Sequence, residues 1–149
     1  MKNLIVRTLA AVTLACGIAS AATVNKGCSN ASLRGTFAYK GTGTIVSPAQ
    51  VAGPISNVVA LTFDGANGIT GTGALSQNGN ILPMTATGTY STNADCTGTY
   101  TLQYSLGFSS TFLFVMDDSG AELQIICMDS GVVLDGVARR QFPVGDWRQ

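Results

Sequence analysis

Four tyrosines and a late arginine are the side chains of this sequence with the most chemistry to offer. Tyr39, Tyr90, Tyr100 and Tyr104 each join an apolar ring to a hydroxyl that donates and accepts hydrogen bonds. They fall on the same alternate positions as Phe37, Phe63, Phe112 and Phe114, so all eight rings are expected on inward-facing rows. An enclosure lined by such rings takes up a small hydrophobic or aromatic molecule, with the hydroxyls orienting it. Arg140 can add a bidentate grip on a carboxylate, or close the interior structurally against Phe37.

Catalysis has less to stand on. The chain has no histidine, the usual proton carrier near neutral pH. Glu122 is the only glutamate and shares a solvent-facing row with Gln124. Asp135 or one of the tyrosines is the candidate for a catalytic proton donor, and the matching reaction class is a cyclisation or isomerisation. Asp64 and Asn67 in "DGANG", and Asp117-Asp118 in "DDSG", carry the oxygen atoms that calcium prefers. Their spacing fits no calcium loop, and tight turns want the same residues. Neither metal nor cofactor is expected.

The elements that position these groups alternate with period two. From Leu33 the odd positions read Leu33, Gly35, Phe37, Tyr39, Gly41, Gly43, Ile45, and the even positions are mostly polar. A second run near Asn57 to Asp64 puts Val59, Leu61 and Phe63 on one side. Ile69 to Leu75 follows, then Asn78-Gly79, a strong tight-hairpin signal, then Leu82 to Tyr90. Gly98 to Leu106, "TFLFVMD", "AELQIICMD" and "VVLDGVARRQF" complete eight strands with no helix between them. Such short turns exclude parallel crossovers. The expected fold is an all-β, eight-stranded antiparallel up-and-down barrel, whose closure removes exposed edges. A two-sheet sandwich is the alternative. Glycines on the ringed rows fit the taper of a small barrel. The opposite face is mostly Thr, Ser, Lys and Arg, the reverse of an outer-membrane barrel, so stable membrane insertion is not expected.

The N-terminus reads as an export signal. Basic residues at Lys2 and Arg7 precede the apolar "TLAAVTLACGIAS", and Ala19-Ser20-Ala21 offers a cleavage site. A lipid anchor on Cys16 is disfavoured by Thr13, which stands where such signals carry a branched apolar residue. Cleavage near Ala21 leaves about 128 residues, 22–149, as one domain with a short tail from about 143. The mature chain is slightly acidic and sparsely charged, so nucleic acid is not an expected partner. A secreted or periplasmic location follows, and with it one disulfide among Cys28, Cys96 and Cys127. In a closed meander the turn holding Cys96 lies at the same end as the start of the first strand, so Cys28–Cys96 is the expected pair. Cys96–Cys127 is the alternative, and otherwise Cys127 reads as a small buried hydrophobe.

The stretches "CSNASLRGTFAY", "NADCTGTYTL" and "SGVVLDGVARRQF" resemble a group of small exported bacterial proteins of unassigned function. That resemblance covers most of the mature chain, implies an all-β fold and supports Cys28 with Cys96. A looser likeness is to the lipocalin-type barrels, which open with G-x-W on strand one and set an arginine of the last strand against that ring. Gly35-Thr36-Phe37, with Arg139 or Arg140, stand in those places here, with Phe for Trp. Three functions follow as expectations. The first is binding of a small apolar or aromatic ligand in the interior. The others are a cyclase or isomerase barrel, and an interaction module with a filled core.

Overall fold

Strands that alternate small or apolar residues with polar ones, joined by turns of a few residues, can pair only with their neighbours in sequence. A computed structural model describes residues 27–141. The signal cleavage near Ala21, Cys16 and the tail from about 143 lie outside the described residues. The strands are β1 (Gly35–Ile45), β2 (Gly53–Phe63), β3 (Gly68–Gln77), β4 (Asn80–Thr92), β5 (Thr97–Tyr104), β6 (Ser109–Asp117), β7 (Glu122–Cys127) and β8 (Val132–Arg140). Each pairs antiparallel with the next, and β8 returns to β1 with Phe37 opposite Arg140 and Ile45 opposite Val132. The barrel is closed, and the sandwich is excluded.

The rings point inward. Phe37, Tyr39, Phe63, Tyr90, Tyr100, Phe112 and Phe114 are all buried, and Tyr104 is half-buried. Glycine makes the tight closure possible where a strand must lie close against its neighbour or a ring. A Cβ on Gly43, Gly73 or Gly88 would overlap a carbonyl oxygen of the adjacent strand, and one on Gly136 would come within 2.6 Å of the Tyr39 ring. At the β3–β4 turn, Asn78 and Gly79 both adopt positive φ (50° and 82°), as the tight hairpin requires.

Three details depart from the alternation. Leu33 belongs not to β1 but to a short 3-10 turn, Asn30–Leu33, because the chain must cross the barrel end before it can pair. Strand β2 starts at Gly53, four residues before Asn57, because its first residues pair with the end of β1, Gly53 opposite Ile45, and the connection between them folds its own 3-10 turn, Ala49–Val51. Leu106 lies beyond the end of β5 and is 39% exposed. On the outer face, exposed threonines (Thr62, Thr70, Thr72, Thr87, Thr89, Thr99) are joined by Val58, Leu113, Val115, Ile126, Met128 and Val133. The outside is therefore more apolar than its threonines suggest. Among the described residues no helix is long and apolar enough to cross a membrane.

The end where β1, β3, β5 and β7 begin is sealed. Cys28 is bonded to Cys96 across 68 residues, and the Cys28 N–H donates to the Ala94 carbonyl at 3.2 Å. Leu33 is fully buried beneath this lead. The Tyr90 hydroxyl donates to the Asn30 carbonyl (3.0 Å), and the Thr92 N–H donates to Asn30 Oδ1 (2.7 Å). Replacing both Cys28 and Cys96 by serine is expected to lower unfolding free energy by about 2–4 kcal/mol. The urea midpoint measures this, and an unchanged midpoint would show that the lead is held without the bridge.

Candidate functional site

The opposite end is open. A cavity of about 370 Å³ enters there, near the small end of the roughly 300–1,000 Å³ typical of small-molecule sites. Its walls are inward residues from the open half of the strands: Ile45, Ile55, Leu75, Met84, Phe112, Val132 and Leu134. Its lip is built by loops, with Ser47, Pro48 and Val51 on one side and Phe108, Asp129 and Ser130 on the other, next to Ser109 at the start of β6. Tyr104 and Phe108 stack at that lip with ring centres 4.6 Å apart. Asp129 is fixed by accepting the Thr111 N–H at 3.0 Å.

The hollow and filled halves differ in residue size. Towards the sealed end Phe63 sits edge-on to Phe37 (5.5 Å), Tyr90 (5.0 Å) and Tyr100 (6.4 Å). Tyr100 in turn stacks on Phe112 at 4.8 Å. These rings, with Leu33, Leu61, Ile69 and Leu123 packed among them, fill that half. Towards the open end most inward positions carry Leu, Met, Ile or Val, and with Tyr104 and Phe112 at one wall they leave the centre empty.

Of the expected ligand residues, Tyr104 and Phe112 line the cavity. Tyr39 is buried just behind the floor, while Phe37, Phe63, Tyr90, Tyr100 and Phe114 pack in the core outside the lining. Arg140 is at the far end. Its guanidinium lies 4.5 Å from the Phe37 ring centre and donates to the carbonyls of Arg34, Ser32 (3.1 Å) and Gly120 (3.0 Å). That geometry staples the sealed end and gives Arg140 no part in the cavity lining. Arg139 points outward and pairs with Glu122 at 2.6 Å, and Gln124 also donates to Glu122 at 2.6 Å. Asp135 is exposed on the outer face of β8, opposite Thr42, so it offers no proton to the interior.

Residues that the alternation does not mark as site residues are Asn57, Leu75, Met84, Leu134 and Cys127. All share the inward parity, but only their depth along the strand sets them at the cavity. Cys127 is the one free cysteine among the described residues. Burial pushes its thiol pKa up, against the backbone N–H of Asp129, which lowers it. Burial is also the main cause that raises the pKa of Tyr39, Tyr100 and Tyr104, reinforced in all three by Cys127 and, for Tyr100 and Tyr104, by Tyr39. The Tyr104 hydroxyl and Cys127 thiol of the lining are therefore neutral at neutral pH, and Asp129 at the lip is the one residue of charged type.

The turn at Asp64 is accounted for locally. Its carboxylate accepts the N–H groups of Ala66 (2.7 Å), Asn67 (3.0 Å) and Gly68 (2.9 Å), which hold its pKa below the usual range. Among the described residues no group of three or more His, Cys, Asp or Glu could hold a metal ion.

Among solved structures, the chain is similar to a de novo designed fluorescence-activating β-barrel. The TM-score is 0.50 at 15% identity, over 72% of this chain and 93% of that one. At this identity the likeness is one of fold. Neither a protein-family model nor a curated protein matches the sequence.

Proposed function

We propose that this chain is an exported barrel that binds a small uncharged apolar or aromatic molecule in the cavity at its open end. The single observation that carries this reading is the cavity itself, about 370 Å³ with mostly apolar walls in a barrel whose other end is sealed. A protein that needed only a filled core would place rings along the whole length of its inward rows. Here they are concentrated in one half. The Cys28–Cys96 bridge supports an oxidising, secreted or periplasmic setting. The inward orientation of the rings supports a water-soluble barrel over a membrane one.

A cyclase or isomerase reading loses Asp135, which lies outside, and keeps only a tyrosine hydroxyl as its proton donor. A titration with a neutral, environment-sensitive naphthalene dye such as prodan tests binding. Wild-type protein is expected to shift the emission to the blue and saturate at one dye per chain. Met84→Trp, which fills the cavity, is expected to weaken binding at least about tenfold, roughly 1.4 kcal/mol. Dye emission unaffected by Met84→Trp, or no saturable signal in the wild type, would refute the reading.

A further inference from the structure

The apolar lining is interrupted at its floor. On β2 the cavity is bordered by Ile55 and then Asn57, and it stops before Val59, so Asn57 is the deepest contributor of that strand. Asn57 is 7% exposed, the one buried residue of polar type among those described. Its Oδ1 is buried and meets no hydrogen-bond partner among the described residues, and the same holds for the hydroxyl of Tyr39, which is 3% exposed. The two groups converge. Asn57 faces Gly41 across the β1–β2 ladder, and Tyr39 is two residues before Gly41 on the same inward row. A Cβ on Gly41 would overlap the Tyr39 hydroxyl and stand 2.7 Å from Asn57 Oδ1. Both oxygens therefore fill the space that the missing side chain leaves, side by side, with Asn57 bordering the cavity and Tyr39 directly behind it.

Buried polar atoms without partners oppose folding, and a ligand that pairs them gains what the free protein lacks. Asn57 offers an amide oxygen that accepts, and Tyr39 a hydroxyl that both donates and accepts. No lysine or arginine lines the cavity, and its one charged residue is an aspartate. A carboxylate or phosphate would lose its hydration here and find no counter-charge. We infer that the ligand is an uncharged apolar or aromatic molecule carrying a single hydroxyl or amide head, which enters head first and hydrogen-bonds to Asn57 and Tyr39. Its body then lies against Leu75, Met84 and Leu134. This assignment rests on the binding function proposed above and specifies the polar end of the molecule.

Three probes of one shape test it against the mature chain with its disulfide intact: 2-naphthol, 2-methylnaphthalene and 2-naphthoate, each competing with the neutral dye. The wild type is expected to bind 2-naphthol about tenfold tighter than 2-methylnaphthalene, and 2-naphthoate more weakly than either. In the Asn57→Leu/Tyr39→Phe double variant the advantage of 2-naphthol is expected to fall below about twofold, while 2-methylnaphthalene binds at least as well as before. Thermal melting of the double variant and of Tyr39→Phe alone checks the fold. Both are expected to melt no lower than the wild type, because unpaired buried groups have been removed. Equal binding of 2-naphthol and 2-methylnaphthalene by the wild type, or a preference that survives in the double variant, would overturn the head-group assignment and leave dye binding standing. Failure of all three probes together with the dye would overturn the binding function as well.

Discussion

Phe63→Ala will destabilise the barrel by about 3–5 kcal/mol, a large share of the roughly 5–15 kcal/mol that holds a domain of this size folded. Phe63 is 1% exposed and touches three other rings edge-on, so its removal loses apolar burial, aromatic contacts and the packing of its neighbours at once. Chemical denaturation measures the loss. Met84→Ala is the matching control, since Met84 borders space that is already empty, and its cost is expected to be about half or less. Equal costs at the two positions would mean that the filled and hollow halves are not distinct.

Alkaline pH will unfold this protein more steeply than acid. Tyr39, Tyr100 and Tyr104 have pKa values raised by burial, so in the fold they stay neutral where an unfolded chain ionises near 10. A folded pKa above the unfolded one gives stability that is complete below about pH 10 and is lost as pH rises towards the folded value. Each tyrosine kept neutral in this way costs about 1.4 kcal/mol of stability per pH unit above 10. Three together cost about 4 kcal/mol per unit, and the Cys127 thiol adds in the same direction from a lower starting pH. Phenolate absorbance near 295 nm should therefore rise together with the loss of circular dichroism, in one cooperative step. Phenolate signals that titrate smoothly near pH 10 with the barrel intact would contradict the burial of these hydroxyls.

Much of this architecture is written in local pattern. Period-two rows from Phe37 to Ala138, together with Asn78-Gly79 and the polar turn at Cys96, suffice for eight antiparallel strands and for closure. Strand parity alone also puts Cys96 at the end where β1 starts, and Arg140 rather than Arg139 inside against Phe37. Depth is what parity does not carry. Phe63 and Asn57 share one row of β2, yet one fills the sealed half and the other floors the cavity, because that depends on register and on which end the lead covers. Asn57 did leave a trace: a polar side chain two positions before Val59 on an otherwise apolar row. It is hidden when β2 is taken to begin near Asn57, where a polar residue reads as a strand end. The lip residues Pro48, Phe108 and Asp129 come from loops, whose placement no alternation specifies.

The central claim is that a small molecule occupies the hollow half of the folded barrel, and Cys127 in its wall can report it directly. Iodoacetamide labelling of Cys127, followed by peptide mapping, is run on the native protein with its disulfide intact, with and without saturating neutral dye. The thiol is buried and its pKa is raised, so labelling without dye is expected to be slower than that of a free cysteine. Saturating dye is expected to slow it further, by about tenfold, through occlusion of the thiol. Labelling at the same rate with and without bound dye would place the molecule elsewhere and contradict the account.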